Sequence, residues 1–247
     1  MSGIVYLVGA GPGDPKLITM RAVELIKKAD VVLYDRLVSK KIISMIPKNA
    51  EKIYVGRDVG DDYKHQDTTN QMMIKYAKSH KHVVRLKGGD PFIFGRGGEE
   101  AEYLRKHKIR FEIIPGITSG IGSAVYCGIP LTHRKYSSSV VFVTGHEDPQ
   151  KSKEQVKWRE LAKSTETIVI MMGLSRIRVI SKELIAGGLG KNTPVAVIQN
   201  GTSKNQRMVI GTLENIADKI RQSKITPPSI IIIGNVVKLH KIVGWKR

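Results

Sequence analysis

Short apolar runs separated by glycine-rich breaks alternate with stretches of helical periodicity along the chain. Ile4-Val5-Tyr6-Leu7-Val8 predicts a strand that runs into Gly9-Ala10-Gly11-Pro12-Gly13-Asp14-Pro15. Leu17, Ile18, Ala22, Leu25, Ile26 and Ala29 then recur at helical spacing, and Val31-Val32-Leu33-Tyr34 predicts a second strand ending at Asp35. Strand, glycine turn, helix and strand make one βαβ unit, which implies a parallel sheet. Ile42, Ile43, Met45 and Ile46 form a short helix or turn stopped by Pro47, and Lys52-Ile53-Tyr54-Val55 reads as a strand. The polar run from Asp61 to Asp67 reads as an exposed loop, a candidate lid or a solvated connection, before a helix from Thr69 to Ser79.

The stretch from Val84 to Gly98 is the one around which the rest is organised. Val83 to Leu86 predicts a short buried strand, after which Gly88, Gly89, Gly95, Gly97 and Gly98 place five glycines in eleven residues. Glycine admits positive φ and lets a ligand lie against bare main chain. Asp90 stands just past the strand with Pro91 fixing the next φ, which predicts a carboxylate held outward at the sheet's carboxyl edge. A helix follows, with Glu99 and Glu100 in a first turn where acids suit the helix dipole. Phe111 to Ile114 is a further strand, stopped by Pro115-Gly116, the expected boundary between domains 1–115 and 116–247. Small residues from Ile117 to Ala124 open the next helix, and Gly128 to Arg134 forms a loop. The second half repeats the alternation, with strands at Val140–Val143, Thr167–Met172, Pro194–Ile198, Gln206–Ile210 and Ser229–Ile233 and helices at Trp158–Ala162, Ile177–Ala186 and Leu213–Ile220. The fold class expected is α/β.

Composition narrows the class further. The 247 residues bury a substantial core, as one large domain or two smaller ones, and 41% apolar with 26% charged content is that of a globular chain. Cys127 is the single cysteine, so a disulfide framework and a cysteine metal cluster are excluded, and a reducing, cytoplasmic setting is expected. The reading expects no secretory leader and no membrane span. Forty-one Lys and Arg against twenty-two Asp and Glu leave a formal charge of +19, which calls for an anionic partner or reflects a generally basic proteome. The cations are dispersed, and no zinc-finger, RNP-like or heptad-bearing basic region is present, so nucleic acid is disfavoured and a small polyanion fits equally. His65, His133 and His146 lack metal-ligand spacing, and no metal is expected.

Gly9 and Gly11 invite a dinucleotide reading, with Asp35 lying 24 residues (35 − 11) past Gly11. Asp14, however, occupies the position of the sixth-place glycine, where pyrophosphate would approach, and Pro12 removes an amide. NAD or FAD is therefore disfavoured.

Taken together, Leu7 to Asp14, Tyr34 to Ser39, Val84 to Glu100, Pro115 to Ser119, Gly128 to Arg134, Val143 to His146 and Asn200-Gly201-Thr202 resemble the tetrapyrrole C-methyltransferases, in particular those acting on uroporphyrinogen III. The resemblance spans residues 4 to about 237. It implies two α/β domains with S-adenosylmethionine folded into a cleft between them, S-adenosylhomocysteine as product, and a homodimer. Family cofactor positions fall on Pro12, Gly88, Gly89, Asp90, Ile93, Thr118, Ser119, Met172 and Gly201; Ser119 stands where many relatives have alanine. The proton acceptor falls on Asp35, and the proton-donor lysine is matched by Arg57. A guanidinium does not release its proton in a protein, so Arg57 reads as an electrostatic anchor, testable by Arg57→Lys. The implied reaction is transfer of two methyl groups to ring carbons of uroporphyrinogen III, giving precorrin-2, with Arg36, Arg57, Arg96, His133 and Arg134 meeting the macrocycle's carboxylates. Three alternatives stand beside it: a relative acting on a later corrinoid, a modified protein histidine or ribosomal RNA; a basic RNA-binding protein; and a dinucleotide oxidoreductase.

Overall fold

The structure, a computed structural model, describes residues 3–56, 64–79, 82–145 and 156–245. Arg57, expected in the site, lies outside the described residues, as does His146. The chain forms two compact units, the first ending at Ser119 and the second beginning at Gly120. The division falls beyond Pro115-Gly116 because that pair is tied to the first sheet: Gly116 N donates to the Asp90 carboxylate at 2.9 Å.

In the first unit, β1 (Ile4–Gly9), β2 (Val31–Tyr34), β3 (Glu51–Tyr54), β4 (His82–Lys87) and β5 (Arg110–Ile114) form one sheet in the order β3-β2-β4-β1-β5. All four pairings are parallel. The helices are α1 (Met20–Lys27), α2 (Lys40–Ile43), α3 (Lys64–Ser79) and α4 (Gly97–Lys106). Both sheet faces are covered, as parallel sheets require. Tyr6, Val8, Val32, Val84 and Leu86 pack with Leu25, Ile26 and Ile42 on one side. Val5, Leu7, Leu33 and Val83 pack with Met73 and Ala77 of α3 and Leu104 of α4 on the other. The Thr19 hydroxyl caps α1 by accepting from Ala22 N at 3.2 Å. Helix α3 begins at Lys64 rather than Thr69, so Lys64 to Asp67, expected in a loop, are its first turn, where Asp67 suits the dipole.

The second unit contains α5 (Ser119–Tyr126), which starts on the boundary, then β6 (Val140–Thr144), α6 (Trp158–Ser164), β7 (Thr167–Met171) and α7 (Ile177–Ala186). After these come β8 (Pro194–Gln199), β9 (Arg207–Thr212), α8 (Ile216–Gln222), β10 (Ser229–Ile233) and α9 (His240–Val243). The sheet order is β6-β7-β10-β8-β9. The second sheet, unlike the first, is mixed. Strands β6 and β7 run parallel, but β10 is antiparallel to both of its neighbours and β9 to β8. No helix separates β8 from β9, and a short connection joins neighbouring strands antiparallel. No helix among the described residues is long and apolar enough to cross a membrane.

Candidate active site

Because the first sheet is all parallel, the segments following β1, β2, β4 and β5 leave it along one edge, the edge at which open α/β sheets bind ligands. Three backbones meet there. Gly89 N donates to Gly11 O at 2.8 Å and Gly11 N to Gly89 O at 3.1 Å, joining the turns after β1 and β4. A Cβ on Gly9 would stand 2.6 Å from Gly116 N and 2.8 Å from Gly89 O, so this crossing admits no side chain. Gly89 has φ +70°, a left-handed conformation that glycine takes without strain. Pro12 follows half-buried.

Asp90 departs from its expected orientation. Its Oδ1 accepts from Phe92 N at 2.8 Å and its Oδ2 from Gly116 N at 2.9 Å, so the carboxylate is turned into the backbone rather than held outward. Pro91 leaves the aspartate's side chain free to close an Asx-type turn, and two amides without other acceptors claim it. Beyond it Phe92, Ile93 and Phe94 form an exposed apolar tip. Arg96, expected to meet substrate, already donates from Nε to Glu99 at 3.1 Å.

Thr118 is buried beside this turn, and its Oγ1 has no hydrogen-bond partner among the described residues. A Cβ on Gly89 would lie 3.8 Å from Thr118 Cα and 3.7 Å from Ser119 N, so the bare Gly89 main chain and the Thr118-Ser119 pair are neighbours. A buried hydroxyl left unmatched costs about 1–3 kcal/mol unless a ligand answers it. Gly89, Thr118 and Ser119 thus lie together at this edge, with Pro12 following Gly11, the bridge partner of Gly89.

Asp35 closes the edge at the end of β2, next to β4, its amide donating to Leu86 O at 3.3 Å. Its Oδ1 accepts from Arg85 Nη2 at 2.6 Å. Arg85 also donates from Nε to Glu100 Oε1 at 3.2 Å and from Nη1 to Leu86 O at 3.2 Å. Lys87 Nζ stands 2.9 Å from Glu100 Oε1 and 2.8 Å from Oε2. The side chains of Arg85, Lys87 and Glu100 are 5%, 3% and 0% exposed; that of Asp35 is 27% exposed. For Arg85, burial pulls the guanidinium down, but Glu100 and Asp35 outweigh it and the pKa is raised. For Lys87, burial and the Arg85 charge outweigh Glu100 and Asp35, and the ammonium is lowered. Sequence reading missed Arg85, Lys87 and Glu100. The signal was two cations on one face of a strand whose βαβ setting demands burial on both faces.

In the second unit, β6, β7 and β8 share a direction, so Gly145, Met172 and Gly201 lie at one sheet edge. Met172 sits past the end of β7, not in the core: it is 51% exposed and left-handed at φ 56°. Asn200 and Thr202 flank Gly201 at φ 50° and 65°. A Cβ on Gly201 would collide with the Ser123 side chain of α5. His133 and Arg134 lie on an exposed loop, His133 Nδ1 accepting from Lys135 N at 3.1 Å. Burial pushes the Cys127 thiol up to about 11, which leaves it a neutral, unreactive group. Among the described residues no three His, Cys, Asp or Glu side chains group to hold a metal ion.

A family model described as tetrapyrrole (corrin/porphyrin) methylases matches residues 4–217. The chain belongs to this family. As a tetrapyrrole methylase it is 49% identical to the S-adenosyl-L-methionine-dependent uroporphyrinogen III methyltransferase of Methanosarcina barkeri, over 99% of this chain and 96% of that protein. It is 52% identical to the siroheme synthase of Nitrosomonas europaea over 99% of this chain but 51% of that protein, so the chain spans about half the length of such relatives. Among tetrapyrrole methylases of known structure, the uroporphyrin-III C-methyl transferase of Thermus thermophilus, complexed with S-adenosyl homocysteine, is 39% identical. It superposes with a TM-score of 0.83, covering 96% of this chain and 100% of that one.

Proposed function

We propose that the chain is an S-adenosylmethionine-dependent C-methyltransferase that methylates uroporphyrinogen III twice to give precorrin-2, the entry to siroheme- and cobalamin-type tetrapyrroles. The observation that carries the reading is the pairing, at the ends of adjacent strands, of a solvent-reached carboxylate, Asp35, with the bare Gly88-Gly89 turn beside the unmatched Thr118 hydroxyl. S-adenosylmethionine suits that turn, since it brings hydroxyl and amine groups to answer Thr118 and flat surface to lie on glycine backbone. When bound it supplies an electrophilic sulfonium methyl.

What remains for the protein is alignment and one proton. Gly88, Gly89, Ile93, Thr118 and Ser119 hold the cofactor, with Pro12 and Asp90 shaping the turns around it; Met172 and Gly201 stand at the family's further cofactor positions. A fixed geometry converts an encounter between two molecules into a unimolecular step. Asp35 accepts the proton relieved at the macrocycle: Arg85 occupies Oδ1, and Oδ2 takes no hydrogen bond from the described residues. Arg36 and Arg134, exposed and unpaired among the described residues, meet substrate carboxylates with His133; Arg96 does so in exchange for Glu99, and Arg57 serves as an anchor. We read the enzyme as cytoplasmic and homodimeric, the latter supported by the exposed apolar residues Val125, Ile242, Val243 and Trp245 on the second unit.

Anaerobic incubation with methyl-labelled S-adenosylmethionine and uroporphyrinogen III tests the proposal. Two labelled methyls per macrocycle are expected; no incorporation by protein that still binds S-adenosylhomocysteine would move the activity to another substrate.

A further inference from the structure

Asp35 and the three charges behind it do more than balance one another. Arg85 pairs in register with Leu7 on one side and Leu33 on the other, in the middle of the sheet, where an apolar side chain would fill the same space. A buried ion pair is rarely the cheapest source of stability, because desolvation offsets most of the Coulombic gain. The arrangement is also directional. Lys87 grips both oxygens of Glu100, Glu100 holds the Nε corner of the guanidinium, Leu86 O holds Nη1, and Nη2 alone faces outward, to Asp35. Three of the four groups are closed off from water, and the partly exposed one is the carboxylate at the ligand-binding edge. Lys87 has a distinct part in this. By sharing Glu100 it leaves the Arg85 cation incompletely neutralised there, and so still available to attract Asp35.

We propose that Lys87, Glu100 and Arg85 form a buried positioning network that fixes the Asp35 carboxylate by one oxygen and presents the other to the substrate. The proposal rests on the reading of Asp35 as proton acceptor. None of the three touches substrate in this role. Each acts through the next, and the planar guanidinium is what lets one side chain meet Glu100, Leu86 O and Asp35 together, a geometry that an ammonium cannot reproduce.

The test measures kcat, KM for uroporphyrinogen III, S-adenosylhomocysteine affinity and thermal melting for Arg85→Lys, Asp35→Asn and the double variant. Arg85→Lys is expected to lower kcat by at least about tenfold with KM and S-adenosylhomocysteine affinity little changed, the mark of an interaction felt in the transition state. In the Asp35→Asn background the same substitution is expected to add nothing, because residues acting as one unit are non-additive. Glu100→Gln, which keeps the volume and removes the charge, should give a smaller loss with the same non-additivity. Wild-type kcat in Arg85→Lys alongside a slow Asp35→Asn would overturn the network and leave the Asp35 reading standing. Wild-type turnover in Asp35→Asn would overturn the Asp35 reading and the network with it. Additive losses would also overturn it, as would loss of cofactor binding and cooperative melting in both Arg85→Lys and Glu100→Gln, since the network would then be structural only.

Discussion

Met172 shows how an exposed side chain can be held at a cost to the backbone. A non-glycine residue at φ 56° carries strain of order 1–3 kcal/mol, and its half-exposed thioether returns little of that through packing. If Met172 meets the cofactor as proposed, Met172→Gly should raise the melting temperature while weakening S-adenosylhomocysteine binding, measured side by side by calorimetry; a variant both less stable and equally tight would remove Met172 from the proposed cofactor contacts. Asp90 teaches the complementary point. Its position after the strand marked it as important, but which group its carboxylate serves could not be read from the chain, because its partners, Phe92 N and Gly116 N, are backbone amides fixed by the fold. Arg85, Lys87 and Glu100 were hidden for a related reason. In a strand written Val-Val-Arg-Leu-Lys, hydropathy assigns the cations to solvent, and burial is set by the helices that later cover that face.

The glycine turns of the first sheet make opposite demands on neighbouring segments. Gly9, the last residue of β1, has backbone atoms on every side of its absent Cβ, so Gly9→Ala should cost about 1–3 kcal/mol or more, with no side chain available to yield. Gly98, near the start of α4, has nothing within 4 Å of that position, and Gly98→Ala should instead stabilise by about 0.4–1 kcal/mol. Urea midpoints moving in opposite directions would establish both; a neutral Gly9→Ala would mean that the crossing of β1, β4 and β5 is looser than described. The elements themselves were largely legible. Glycine and proline punctuation located every strand to within two residues at either end, whereas the first turn of α3 and the antiparallel entry of β10 were not legible. Periodicity reports which face of a strand is apolar, not the direction in which a neighbour runs.

Across the whole molecule, the charge of +19 is far larger than the buried network consumes, since Arg85 and Lys87 are matched by Glu100 and Asp35. Dispersed surface cations act through a long-range field that salt screens within about 8–10 Å at ordinary ionic strength. KM for the proposed polycarboxylate substrate should then rise several-fold between about 50 mM and 500 mM salt, with S-adenosylhomocysteine affinity barely altered. A flat KM would detach the charge from substrate capture. The order of strands in the second sheet carries a consequence for synthesis. Its central strand, β10, is the last to leave the ribosome, and until Ser229–Ile233 emerges the β6-β7 pair and the β8-β9 pair have no common neighbour. The first unit, whose sheet is complete by Ile114, is free to fold while the chain is still growing; the second must wait as two apolar halves, and a nascent chain stalled short of residue 229 is the species that chaperones would be called on to shield.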